Sequence, residues 1–286
     1  MEDFLLFRSS RIHYYCWGSG PRLLFGFHGY GESAAAFSFL GETLEEGQGK
    51  ALGEALDTDY TLVAIDLPFH GETDWKEGLF FDPLWLPGLL TEIAARFPGR
   101  LADWWLLGYS MGGRIALQLL GDSPCTVQKM VLLAPDGLKV NLWYWIATRT
   151  RAGNTLFRWT MRRPGWLFLM LRLGNALHLV NPSIYKFAVN YINDDRVRQD
   201  LYTRWTTMRG FRPRLSVLAE IIRSRQLRVT LIFGRHDRII RWERGEQFRK
   251  KGIAATCSLI LLPTGHQLLR AQFLDVLLAE LTEEHD

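Results

Sequence analysis

The 286-residue sequence holds too few cysteines, placed too far apart, to be stapled by disulfides. Cys16, Cys125 and Cys257 are odd in number and form no CxxC pair, which excludes both a disulfide framework and a cysteine zinc site and leaves buried, idle thiols as the expectation. A long apolar run is missing too. The longest such window, Trp166 to Val180, is interrupted by Arg172, Gly174, Asn175 and His178 and falls short of the roughly 20 residues a spanning helix requires, so no transmembrane segment is expected. The opening Met-Glu-Asp-Phe-Leu-Leu-Phe-Arg puts acids where an export signal needs a basic region, and a cytoplasmic location is expected. There is no internal repeat, no low-complexity tract, no GxxxxGK[ST] loop and no His/Asp/Glu spacing suited to a metal, so neither cofactor nor metal is expected.

What is present is an ordinary globular composition, 48% hydrophobic and 22% charged, enough to bury a sizeable core. The length suggests one core with an insertion. The net charge of +4 conceals an asymmetry: Lys139 to Arg225 carries 16 Lys and Arg against 4 Asp and Glu, a balance of +12, which leaves −8 for the remainder. A basic middle of this kind suits an anionic substrate, an anionic membrane surface, or the acidic rest of its own chain. Nucleic acid is not expected, because no recognised binding module accompanies the surplus.

Arg11–Trp17 and Arg22–His28 are short apolar and aromatic runs joined by Gly18-Ser19-Gly20-Pro21, which reads as an N-terminal hairpin. Apolar strands then alternate with helical segments at Tyr60–Asp66, Trp104–Tyr109, Lys129–Ala134, Arg228–Phe233 and Thr256–Leu262, the pattern of a mostly parallel sheet covered on both faces. Helices are expected over Leu84–Phe97, Arg114–Leu120 and Gln267–Leu281. Between Asp136 and Leu227 no convincing strand occurs; Trp, Leu, Arg and Tyr recur at helical spacing. Pro164-Gly165, Asn181-Pro182-Ser183 and Arg212-Pro213 break this insertion into four or five helices.

Gly108-Tyr109-Ser110-Met111-Gly112-Gly113 sits between an apolar strand and a helix, the setting of a nucleophile elbow. A serine hydroxyl needs a base to take its proton and a carboxylate to orient that base. Asp237, in Gly234-Arg235-His236-Asp237, follows one apolar strand, and His266, in Thr264-Gly265-His266, follows the next. The carboxyl ends of parallel strands share an edge, which would bring Ser110, Asp237 and His266 together. Phe27-His28-Gly29-Tyr30-Gly31-Glu32-Ser33 supplies a glycine-rich loop after another strand, and the backbone N–H groups of Tyr30 and Met111 form the natural oxyanion pair.

These landmarks, with Asp66-Leu67-Pro68-Phe69-His70-Gly71, resemble the α/β-hydrolase superfamily, specifically its cap-bearing members with an HGxG loop, from about Arg11 to the C-terminus. Phe69 departs from the pattern, since relatives usually carry glycine there. The resemblance implies an α/β fold with a mostly parallel eight-stranded sheet and a helical cap, or lid, inserted after the sixth strand. The core would be 1–136 and 228–286, and the cap 137–227. It implies a serine hydrolase cleaving an ester or other acyl bond of a small molecule, whose basic cap would suit an anionic substrate or a weak membrane contact.

Some relatives place the triad acid where Asp136 stands, so both acids are candidates, with Gly-Arg-His-Asp the commoner arrangement. His28 and His70 are expected to brace loops and His236 to be a bystander; His13, His178 and His285 carry no motif, though His178 lies in the cap. Two alternatives remain: carbon–carbon cleavage or elimination on an anionic metabolite with the same triad, and a non-catalytic ligand-binding protein on the same fold.

Overall fold

The computed structural model describes residues 1–46, 60–99, 103–123, 127–139, 142–177 and 192–282. Cys125, His178, His285 and the break at Asn181-Pro182-Ser183 lie outside the described residues.

Eight strands, β1 (Glu2–Phe7), β2 (Ser10–Trp17), β3 (Arg22–Phe27), β4 (Tyr60–Ile65), β5 (Trp104–Tyr109), β6 (Val127–Leu133), β7 (Arg228–Gly234) and β8 (Cys257–Leu262), form one sheet in the order β1-β2-β4-β3-β5-β6-β7-β8. Only β1 with β2 and β2 with β4 run antiparallel. Ten helices follow among the described residues: α1 (Ser38–Glu46), α2 (Trp85–Ala94), α3 (Met111–Asp122), α4 (Leu142–Arg149), α5 (Arg151–Arg162), α6 (Gly165–Ala176), α7 (Asp195–Thr207), α8 (Leu215–Ser224), α9 (Glu243–Arg249) and α10 (Leu274–Thr282).

β4 and β5 are buried along their whole length, as apolar runs must be when both faces are covered. Leu24, Leu106, Leu132 and Leu231 have no exposed surface, and each such side chain contributes about 1.5–3 kcal/mol by leaving water.

The hairpin expected between Arg11–Trp17 and Arg22–His28 does not form, because β4 stands between β2 and β3. β3, buried on both faces, takes a central place with parallel neighbours on each side. Gly18-Ser19-Gly20-Pro21 is therefore a crossing rather than a tight turn: Gly18 adopts φ +78°, and Gly20 N–H donates to the Tyr60 carbonyl at 3.0 Å. The hairpin partner of β2 is β1, reached through Arg8 at φ +57°. The helix expected to begin at Gln267 starts later, at α10 after a short turn over Ala271–Phe273, because Leu268 and Leu269 are buried in the loop that follows β8.

Register sets the site's position. Phe27 is level with Ile65 and Gly108, Tyr109 with Leu133, Leu133 with Ile232, and Gly234 with Leu262, so the carboxyl ends of the parallel strands share one edge. β3 is where the strand order reverses, the point at which such sheets bind ligands.

The chain divides into two compact units. The first comprises Met1–Glu77, Asp82–Lys139 and Phe211–Asp286 and holds the sheet. It includes α8, which the sequence grouped with the insertion at 137–227: Leu218, Ala219 and Ile222 are buried, and Arg212 N–H donates to Gln118 Oε1 of α3 at 2.7 Å. The second comprises Gly78–Phe81 and Val140–Gly210 and is helical. Inside it, Phe157 of α5 packs against Tyr202 and Trp205 of α7, and Asn154 donates to Ala147 O and Thr206 Oγ1 while accepting from Tyr202 Oη. The Asp194 carboxylate caps α7 by accepting from the N–H groups of Arg196 and Val197.

Candidate active site

Ser110 ends β5 and opens α3 with φ +51° and ψ −111°, a conformation disfavoured for any residue with a Cβ. Its own backbone holds it there: the N–H donates to Leu133 O at 2.9 Å, and the carbonyl accepts from Gly113 N–H at 3.0 Å and Asp136 N–H at 2.8 Å. Gly112 explains the sequence pattern around the turn. A Cβ at this position would run into the Phe27 carbonyl, so only glycine lets the elbow close against the end of β3.

Ser110 Oγ lies 3.0 Å from His266 Nε2, and His266 Nδ1 lies 2.7 Å from Asp237 Oδ2. The Asp237 side chain is wholly buried and its other oxygen accepts from the N–H groups of Ile239 and Ile240 at 2.7 and 3.0 Å. Burial opposes ionisation of this carboxyl, yet the hydrogen bond from His266 and the two backbone donors outweigh it and hold it below its ordinary value of 3.8. An ionised carboxylate only accepts, so Nδ1 of His266 carries the proton and Nε2 offers its lone pair to the serine hydroxyl. Tyr109 Oη donates to the His266 carbonyl at 3.1 Å, which ties the loop after β8 to the end of β5.

A family model described as the alpha/beta hydrolase fold matches residues 22–269, which take in β3 to β8 of this sheet and all three residues. The chain belongs to the α/β-hydrolase family. A pimeloyl-[acyl-carrier protein] methyl ester esterase of Nitrosomonas europaea is 26% identical to it over 241 residues, 79% of this chain and 81% of that one. A second esterase of that name, from Aeromonas salmonicida, is 27% identical over 164 residues, 56% of this chain and 57% of the relative. The chain spans 30% and 57% of the length of the first two curated relatives it matches. Among solved structures, the enol-lactonase from Burkholderia xenovorans LB400 superposes with a TM-score of 0.62 at 14% identity, over 98% of this chain and 100% of that one, a likeness of fold.

Asp136 takes a different place from Asp237. Its Oδ2 lies 3.4 Å from Arg114 Nη1 and its Oδ1 accepts from Gly137 N–H. Met111 is the first residue of α3, where helical N–H groups lack an intrahelical acceptor, and Tyr30 follows β3 in the His28–Ser33 loop. His28 accepts from Leu67 N–H through Nε2 at 3.2 Å, so its Nδ1 donates to Gly29 O at 2.8 Å, and the ring braces two loops. His70 donates from Nδ1 toward Pro68 O at 2.9 Å. Buried Asp66 accepts from Ala34 N–H at 2.6 Å and Glu72 N–H at 2.9 Å and meets His13 Nδ1 at 2.7 Å, contacts that tie down the loop in which Phe69 adopts φ +63°.

One residue escaped notice in the sequence. Glu32, in the same loop as Tyr30, has a buried Oε2 without a hydrogen-bond partner, and burial pushes its carboxyl above the ordinary value against the pull of Gly29, Arg270 and His266. The signal in the sequence is an acid beside Gly31, in a loop whose glycines point to backbone donors. Among the described residues no three His, Cys, Asp or Glu side chains gather as metal ligands, and no helix is long and apolar enough to cross a membrane.

Proposed function

We propose that this α/β hydrolase cleaves an ester or other acyl bond of a small molecule with Ser110 as nucleophile, His266 as general base and acid, and Asp237 as the group that orients His266. The observation that carries the reading is the unbroken line from Ser110 Oγ through the His266 ring to Asp237, at 3.0 and 2.7 Å. The kinship with two proteins named as methyl ester esterases supports an ester as the bond.

As the serine oxygen attacks the carbonyl carbon, His266 Nε2 takes its proton, and Asp237 steadies the imidazolium. The carbonyl oxygen becomes an oxyanion held by the N–H groups of Tyr30 and Met111. Collapse returns the oxyanion to a carbonyl and breaks the bond to the leaving alcohol, which leaves with the proton from His266. Water then gives its proton to the same nitrogen as it attacks the acyl-enzyme, and collapse of this second intermediate releases the acid while His266 returns the proton to Ser110 Oγ. The residue set needs no metal or organic cofactor for any of these steps.

The test is turnover of short aryl esters by purified Ser110→Ala and His266→Ala variants, each expected to lose on the order of 10³-fold or more in kcat while keeping the native circular dichroism spectrum. Unchanged rates in both variants would overturn the reading. Consumption of an acidic diketone by the wild type, with no ester turned over, would favour carbon–carbon cleavage by the same residues.

A further inference from the structure

Helix α6 runs Gly-Trp-Leu-Phe-Leu-Met-Leu-Arg-Leu-Gly-Asn-Ala, and none of its 12 residues is buried. Trp166, Leu169, Met170 and Leu173 recur at i, i+3, i+4 and i+7, the spacing that makes a single apolar face and ordinarily turns it toward a core. Here the four are 38%, 54%, 49% and 47% exposed. Trp159 of α5, 45% exposed, stacks on Trp166 with ring centroids 5.9 Å apart and carries the apolar surface from one helix to the next. A continuous exposed stripe of this kind marks a surface made to meet something else.

Charge says what that is. Arg158, Arg162, Arg163 and Arg172 are exposed on the same two helices and the turn between them. Arg172, two residues beyond Met170, lies beside the stripe rather than within it, as in helices that rest in a bilayer surface. Between Asp136 and Asp194 the sequence has no Asp or Glu at all, against eight Lys and Arg. A second copy of the chain would bring this face against itself and oppose arginine to arginine, which disfavours a symmetric dimer. An anionic lipid surface answers both halves of the pattern, with phosphate for the guanidinium groups and acyl chains for the apolar side chains. Tryptophan is also the side chain most suited to the boundary between them.

We propose that the α5–α6 face docks on an anionic phospholipid bilayer, with Trp159, Trp166, Leu169 and Leu173 entering the boundary between headgroups and acyl chains while the flanking arginines meet lipid phosphates. The helices rest in the surface and do not cross it. The proposal is independent of the chemistry assigned to Ser110.

The experiment is co-sedimentation of the full chain with vesicles of phosphatidylcholine alone and of equimolar phosphatidylcholine and phosphatidylglycerol, at about 0.05 M and about 0.5 M salt. Binding is expected to be at least tenfold tighter to the anionic vesicles and to fall at high salt. Tryptophan emission should shift to the blue and be quenched by acyl-brominated lipid, less so in W166S. R162S and R163S should each weaken binding about fivefold, L169S should weaken it as well, and S110A should bind as the wild type does. Because these side chains are exposed, the surface variants should keep native circular dichroism and the wild-type rate on a short water-soluble ester. Equal binding to both vesicle types, no binding to anionic vesicles at low salt, or undiminished binding by the surface variants would each overturn the proposal. A concentration-dependent dimer dispersed by W166S, without vesicle binding, would overturn it in favour of a second copy.

Discussion

Asp237 meets His266 Nδ1 at 2.7 Å while its own side chain is wholly shielded from water. A carboxylate so placed sets the imidazole tautomer, and that contact is the most demanding feature of the site, because it needs two different strand ends to agree in height. Asp237→Asn keeps the shape but can present a donor to Nδ1, which would leave Nε2 protonated and unable to accept from Ser110. The expected result is a fall in kcat/KM of about 10⁴ at neutral pH. Asp136→Asn, which disturbs a contact to Arg114 instead, should stay within about threefold of the wild type. Steady-state kinetics on one ester with both variants distinguishes the two acids.

The same carboxyl makes a statement about acid stability. Its folded value lies below the ordinary 3.8, so the stability tied to its ionisation is present above that value and is lost as pH falls through the lower folded one. Urea midpoints of the wild type and Asp237→Asn should therefore differ most near neutral pH and converge below about pH 4. A gap that stays constant from pH 7 to pH 3 would show that no such linkage exists.

Glu32 carries the opposite sign. Burial raises its carboxyl above 4.5, so the folded state binds this proton more tightly than the unfolded chain does, and stability falls as pH rises from the unfolded value through the folded one. Glu32→Gln should be at least as stable as the wild type at neutral pH. Thermal melts of the two proteins across a range of pH test this, and a stability difference that does not change with pH would contradict it.

Gly112 has no room for a side chain, since a Cβ would overlap the Phe27 carbonyl. Gly112→Ala should cost about 1–3 kcal/mol through forced backbone movement and displace Ser110 from His266, so that stability and turnover fall together. A variant with native stability and full turnover would mean that the elbow tolerates what its geometry excludes.

Ser110, Asp237 and His266 are legible as candidates because each closes an apolar run at a glycine-bearing turn and parallel strands bring such ends to one edge, where Ser110 Oγ lies 3.0 Å from His266 Nε2 and His266 Nδ1 lies 2.7 Å from Asp237 Oδ2. The pairing of β2 was not legible. Hairpin chemistry at Gly18-Ser19-Gly20-Pro21 describes a chain reversal, while the insertion of β4 between β2 and β3 is decided by the burial of β3 on both faces, a long-range preference that no local pattern carries. β1 is not legible either, since its six residues begin with the acids Glu2 and Asp3 and owe their strand form to β2. The start of the last helix was misplaced because Leu268 and Leu269 look helical in spacing yet are buried in the loop behind His266. Glu32 was missed for a similar reason, as its environment is made by Gly29, Tyr109 and Arg270, which are distant in sequence or contribute only backbone.

The most direct measurement of the central claim is covalent trapping: reaction of the wild type and Ser110→Ala with an aryl fluorophosphonate, followed by intact mass and peptide mapping. A single adduct on Ser110, absent from the variant and formed in step with loss of esterase activity, is the predicted result. An adduct on another residue, or ester turnover that survives in Ser110→Ala, would contradict it.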